Sequence, residues 1–239
     1  MSRVEEAAFY SGHVTNESPP SKLATQLAHY LPLFALRVTT PRLSLRLPTD
    51  PELLLLLKVI ERGVHDRAEM PFLTAWTDVS SPQRERESLA HWWRLRAQWS
   101  PNSWKWSGAV HAEGQIVGVQ DVMAEDFAIN RRVKSSSWLG LDFQGRGLGR
   151  EMRAAALHLA FEGLGATRAV SGYVEGNVAS QRVSESLGYK VTGYRDVQIR
   201  GRVVRQTELA LERSEWETRR RDDIRIDGLK ECLELFGLR

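Results

Sequence analysis

A single cysteine, Cys232, in a chain of 239 residues excludes an internal disulfide and any zinc centre built from several thiolates, and no metal is expected. No apolar run approaches the roughly 20 residues needed to cross a bilayer, and the first residues lack the basic-then-apolar pattern of a secretory signal. The expectation is therefore a cytoplasmic protein with no membrane partner, for which the sequon Asn16-Glu17-Ser18 carries no meaning. Net charge is also scarce: 33 Lys and Arg against 30 Asp and Glu leave a formal +3. The cations are scattered along the chain rather than gathered, which argues weakly for an anionic ligand and against nucleic acid. The one dense run, Arg219-Arg220-Arg221, is followed at once by Asp222-Asp223 and reads more readily as a solvated helix face than as the core of a basic interaction protein.

What the chain does have is a 42% hydrophobic content, enough for a proper core, and one concentrated glycine motif. Gln144-Gly145-Arg146-Gly147-Leu148-Gly149 lies between a strand-like run, Ser136 to Leu141, and a strongly helical one, Arg150 to Leu164. Glycine reaches backbone angles closed to other residues and has no Cβ, so such a turn presents bare N–H groups. At a helix start those groups lack intrahelical partners and sit at the positive end of the dipole, which suits phosphate. Two familiar templates fail here. For Gly-x-Gly-x-x-Gly the third glycine comes one residue early, and for a P-loop the second glycine is replaced by Arg150.

The rest of the chain supplies alternating element signals. Residues 1 to about 22 show no periodicity and read as a leader, with a short helix at 22–30. A strand is expected over 37–47, then a helix capped by Asp50 with Pro51 in its first turn, ending at Gly63. Residues 64–79 have no period but carry His65, Asp66, Phe72, Trp76 and Asp78, and a long structureless loop in a compact domain is usually functional. Ser80-Ser81-Pro82 starts a second helix whose Leu89, Trp92, Trp93, Leu95 and Trp99 form an apolar side, read as core packing ahead of an acceptor wall. A hairpin (104–112 and 115–123), a strand (133–141), the glycine turn, a largely buried helix (150–164), a strand (166–174) and a helix from Asn177 to Leu187 follow. Gly188 ends that helix, a second hairpin spans 189–211, Ser214 caps a last helix, and 222–239 form an extension.

Gln144-x-x-Gly147-x-Gly149 resembles the acyl-CoA signature of the GNAT (Gcn5-related) N-acyltransferases at every fixed position. The start Thr39-Thr40-Pro41-Arg42-Leu43-Ser44-Leu45-Arg46 and the pair Asn177-Val178-Ala179-Ser180 and Ser186-Leu187-Gly188-Tyr189 agree with it, and the element order over about 36–216 is similar to the GNAT fold. Together they resemble the ribosomal-protein N-terminal acetyltransferase subgroup, and Gly63 to Asp78 with the tail Leu235-Phe236-Gly237 looks like an actinobacterial branch of it. The fold implied is α/β with a mixed, mostly antiparallel sheet of six to seven strands flanked by helices. The division implied is an N-terminal extension over 1–34, an acyltransferase domain over 35–216 and a C-terminal extension over 217–239 docking on or near it.

The resemblance also implies roles. A free amine of a small molecule or protein attacks the thioester of bound acyl-CoA, acetyl-CoA by default with succinyl-CoA as the alternative, and a homodimer is left open. The pyrophosphate falls on the N–H groups of Arg146, Gly147, Leu148, Gly149 and Arg150, with Gln144 and Gly145 also counted in the cofactor-binding turn, and the pantetheine arm on Trp138, Leu139 and Gly140. Asn177 contacts that arm while also suiting a helix N-cap, and Ser180 is the candidate acid for the departing thiolate. Two departures stand out: the family's tyrosine four residues before the Leu-Gly glycine is Ser184 here, and no acid stands at Lys134 to Ser136. Candidate bases are then Asp121, Glu125 and Asp126, with His111, His65 and Asp66 behind them. The same gaps support a competing reading, a non-catalytic CoA-binding regulatory module.

Overall fold

The computed structural model describes residues 22–238; the expected leader up to residue 21, with its sequon, lies outside the described residues. The run expected as one strand over 37–47 is broken at Thr40-Pro41-Arg42, because proline has no N–H to donate to a ladder. Strands β1 (Arg37–Thr39) and β2 (Leu43–Arg46) pair antiparallel across that turn. Around them stand α1 (Lys22–Ala28), α2 (Asp50–Arg62) and α3 (Gln83–Ala97), then the hairpin β3 (Ser103–Ala112) and β4 (Gln115–Glu125) and the short α4 (Phe127–Asn130). The second half runs β5 (Arg132–Leu139), α5 (Leu148–His158), β6 (Arg168–Val174), α6 (Val178–Ser186), β7 (Lys190–Ile199), β8 (Arg202–Glu212), α7 (Arg213–Glu217) and β9 (Arg225–Asp227).

The sheet order is β7-β8-β6-β5-β4-β3-β2-β1-β9, so the sheet has nine strands rather than six or seven. The two additions have separate causes: Pro41 divides one run into two, and the C-terminal segment adds β9 against β1, with Val38 opposite Ile226. Every neighbouring pair is antiparallel except β5 and β6. That parallel pairing covers only Arg132 to Lys134 against Arg168 to Val170, after which the two strands part.

Two apolar layers cover the sheet. On one face α5 is buried almost all round: Met152, Ala155, Ala156 and Leu157 are 0–3% exposed, and a π-helical turn, Leu159–Gly163, prolongs it. On the other face α2 brings Leu53, Leu56 and Ile60 against Ala109, Ile116 and Val119, and α3 adds Trp92. The α2 cap is Thr49 rather than Asp50, because Thr49 forms a capping box with Glu52, whose Oε2 accepts from the Thr49 N–H at 2.8 Å. The tryptophans expected on one side of α3 do not share it, and Trp99 falls just past its end. Trp92 enters the core, Trp93 is 49% exposed, and Trp99 turns to the C-terminal segment. Neither Ser81 before α3 nor Ser214 in α7 makes a side-chain cap.

That C-terminal segment is part of the main core. Phe236 is wholly buried, edge-on to Trp99 at 5.3 Å and to Trp104 at 4.8 Å between ring centroids, and the Trp99 indole N–H donates to the Leu235 carbonyl at 2.8 Å. Gly163 makes room for it: a Cβ there would stand 2.8 Å from Leu229. Cys232 is fully buried, and burial pushes its thiol up to about 12, so it is held as an inert core residue. Phe236→Ala should therefore cost about 3 to 5 kcal/mol in urea unfolding, as aromatic truncations in a core do. Native Cys232 should react with iodoacetamide only after unfolding, a contrast readable by mass spectrometry.

Candidate active site

The glycine turn is built from the strand end outward. The Gly140 N–H donates to Val117 and the Leu141 N–H to Gly63, so β5 is held to β4 and to the end of α2 up to its last residue. After a 3-10 turn over Leu141–Phe143 the backbone takes left-handed angles at Gly145 (φ 74°) and Gly147 (φ 77°), the two positions where glycine is required. Gly147 is the N-cap of α5 and offers no side chain, so the first N–H groups of the helix face outward. Gly149 serves packing, with its Cβ position 3.7 Å from Val183 on α6.

Side chains around the turn brace it. Gln144, expected among the ligand contacts, turns inward and donates from Nε2 to the Val64 and Leu139 carbonyls, both at 2.9 Å. Glu151, one turn into α5, accepts from Thr40 Oγ1 at 2.6 Å and from Arg42 Nε at 2.6 Å, while Arg42 Nη1 reaches the Arg146 carbonyl at 3.1 Å. The break at Pro41 thus lets the β1–β2 turn clamp the start of α5. Beside the clamp lies a cavity of about 410 Å³ whose walls include Gly147, Arg42, Arg150, Arg219 and Arg221. Arg150 borders this cavity, whereas Arg146 lies over the Phe143 ring at 5.9 Å.

Beyond Lys134 the parting of β5 from β6 opens a gap with two chemically different faces. Toward α2 and α3, Ser136 donates from Oγ to Asp121 Oδ2 at 2.8 Å, and Lys105 Nζ lies 2.8 Å from the same oxygen. On that side Trp138 meets Trp76 at 6.1 Å, continuing a row through Phe72 to His65 with 5.4 Å steps. Toward α5 stands Arg153, 5% exposed, donating to the hydroxyls of Ser137 (3.2 Å), Ser184 (3.2 Å) and Ser171 (3.4 Å). Burial lowers its pKa, and Tyr189, itself pushed up by burial, is the neighbour that acts to raise it.

The long loop over 64–79 straps this gap. The Pro71 carbonyl accepts from Asn177 Nδ2 at 3.3 Å, and Asp78 takes a two-pronged bond from Arg200 in the β7–β8 turn, at 2.6 and 2.7 Å. Asn177 is also the N-cap of α6, its Oδ1 accepting from the Ser180 N–H at 3.0 Å. Ser180 is half-buried, and its hydroxyl makes no hydrogen bond among the described residues.

The candidate bases are scattered. Asp121 flanks the gap; Asp126 and Glu125 lie exposed at the far end of β4, past the rows where β5 and β6 still pair, because β4 runs away from the glycine turn. His65 is bonded through Nε2 to Thr77 at 2.7 Å, and Asp66 closes its own turn by accepting from the Ala68 N–H. His111 sits two strands away beside Arg46 and Glu52. Burial holds it at about 4, Arg46 adds to the lowering, and the pull of Glu52 is too weak to reverse it. Burial works to raise Glu52, yet the Thr49 hydrogen bonds and Arg46 bring it below its ordinary value. The sequence patterns did not single out Arg153, Lys105 or Arg200; for Arg153 the signal was a cation set among the apolar Met152, Ala154, Ala155, Ala156 and Leu157 of α5.

A family model described as Acetyltransferase (GNAT) domain matches residues 42–190. Among solved structures, Mycobacterium smegmatis RimJ in complex with CoA-disulfide is similar with a TM-score of 0.62 and 16% identity, over 76% of this chain and 87% of that one. A putative ribosomal-protein-serine acetyltransferase from Vibrio cholerae is similar with a TM-score of 0.57 and 20% identity, over 74% and 97%. Spermidine N-acetyltransferase from Vibrio cholerae, in complex with CoA and spermine, is similar with a TM-score of 0.57 and 15% identity, over 74% and 98%. These likenesses are of fold. Among the described residues no helix is long and apolar enough to cross a membrane.

The buried His111 makes a pH prediction. Its folded pKa lies below its unfolded value, so the unfolded chain binds the extra proton first, and stability is lost as pH falls through the interval from about 6.5 to about 4. Between about pH 7 and pH 5 this one group should cost about 2 kcal/mol. His111→Gln should flatten that part of the pH dependence of the urea midpoint, and an unchanged slope would show that His111 does not set it.

Proposed function

The chain belongs to the GNAT acetyltransferase family and is an N-acyltransferase drawing on CoA; on that premise we propose that it acylates a primary amine of a small molecule or protein by direct attack on the bound thioester. One observation carries this reading: an anion-ready helix start and an opened strand edge lie at the two ends of a single short segment, residues 138–149. The outward N–H groups from Gly145 to Arg150 suit the pyrophosphate. The cavity bordered by Arg42, Arg150, Arg219 and Arg221 suits the phosphorylated nucleotide end. Trp138, Leu139 and Gly140 then carry the pantetheine arm along β5 into the gap. Gln144 contributes by holding the turn closed rather than by touching phosphate.

The chemistry needs proximity, a path for one proton out and a source for one proton in. The amine nitrogen attacks the thioester carbonyl carbon, the C–S bond breaks, and sulfur leaves as thiolate. Ser180, with its hydroxyl unengaged and a residue of α6 beside the gap, relays a proton to sulfur and is resupplied from water. The proton lost by nitrogen leaves through water toward Asp121, which faces the gap on the side of the aromatic row; Asp126 is too far down β4 to share that task. An α-amine, with a pKa of about 8, asks far less of this base than a lysine at about 10.4. Phe72, Trp76 and Trp138 form the acceptor wall. Asn177 holds the Pro71 carbonyl with one Nδ2–H and has a second to offer the pantetheine arm, so donor binding and strap position meet at one side chain.

Two variants test the roles. Gly147→Val, which forces a β-branched residue to φ 77°, should weaken CoA binding about 100-fold or more by calorimetry while circular dichroism stays native. Ser180→Ala should lower thiol release across an amine panel about 100-fold with CoA affinity kept. Unchanged turnover in the second variant removes Ser180 as the acid.

A further inference from the structure

Arg153 has no anionic partner. Its guanidinium is buried under α5, its three hydrogen bonds all go to serine hydroxyls, its Nε is unpaired, and no carboxylate among the described residues forms an ion pair with it. A buried charge is ordinarily paired, because taking it from water is costly and neutral hydroxyls return only part of that cost. The location is specific. Ser137 lies on β5 and Ser171 on β6, both just past the point where those strands stop pairing. Ser184 donates from Oγ to the Ser180 carbonyl at 2.8 Å, one helical turn from the proposed acid.

We propose that Arg153 is the specificity-determining residue for the acyl group and that the donor carries a dicarboxylic acyl chain, of which succinyl-CoA is the four-carbon member. This rests on the acyl-CoA reading of the gap. With the thioester near Ser180, the four-residue step along α6 to Ser184 covers about 6 Å of the axis. Two methylenes between thioester carbonyl and carboxylate span about 4 to 5 Å, three C–C bonds of ~1.5 Å each, so the terminal carboxylate arrives at the guanidinium. A planar guanidinium takes a carboxylate through two parallel N–H bonds, a match that serine hydroxyls do not offer. An acetyl group ends short of Arg153 and leaves it unpaired. The substitution of the family's tyrosine by Ser184 belongs to the same device, because a ring at that position would fill the space that Arg153 enters.

Calorimetric titration of the whole protein with CoA, acetyl-CoA, butyryl-CoA and succinyl-CoA, with no acceptor present, tests this. Butyryl matches succinyl in chain length without the charge. Succinyl-CoA should bind at least about tenfold tighter than butyryl-CoA, the ratio expected of hydrogen bonds to a charged group. In Arg153→Met the ratio should fall to about one while the affinity for free CoA is unchanged, and Arg153→Lys should recover part of it. Wild-type protein that binds CoA but holds acetyl-, butyryl- and succinyl-CoA alike overturns the assignment whatever the variants do. Failure to bind any of the four overturns the acyl-CoA reading itself, and this assignment with it.

Discussion

The parallel ladder between β5 and β6 is only three residues long, and the site follows from its ending there. Two strands that stop pairing leave backbone groups in need of partners, and such groups are seldom left alone. Here the opening is flanked on one side by the Asp121, Lys105 and Ser136 cluster and on the other by Arg153 and its serines. The same strand that opens then runs directly into the glycine turn, so the helix dipole of α5 and the gap share one continuous stretch of chain.

Several distant segments exist to keep that stretch in place. Glu151 binds the Thr40 to Arg42 turn, Gln144 binds the backbone on both sides, and the strap over 64–79 is tied at Pro71 and at Asp78. The Glu151, Gln144 and Asn177 ties are partly shielded from water, where such bonds are worth more than at the surface, whereas the Arg200–Asp78 pair is exposed and counts for less. The C-terminal segment supports the opposite edge: β9 extends the sheet beyond β1, and Phe236 closes the core beneath Trp99 and Trp104. The candidate site sits at the opened part of the sheet, while the paired part is held by ordinary packing.

Much of this was legible in the letters, for local reasons. The positive-φ glycines, the amphipathic periods, the hairpin turns and the terminator Gly188 are encoded within a few residues, so the element order and the cradle could be read directly. What escaped was nonlocal. Nothing near Gln144 announces that its amide will turn inward to Val64, and nothing near Asp126 shows that β4 will carry it away from the gap. Thr49 displaced Asp50 as cap because its box with Glu52 also engages Arg46 on β2.

The amino-acid order was enough to specify the family, the glycine turn and a donor built on CoA, because each rests on short-range backbone chemistry that needs no knowledge of the partner segments. Which side chains face the opened strands depended on long-range packing. Arg153 is one more arginine in a basic chain until α5 lies across β5 and β6, and it becomes a buried cation lacking an anion only when Ser137, Ser171 and Ser184 are brought around it from three separate elements. Burial sets its chemistry, and burial is a property of the assembled fold.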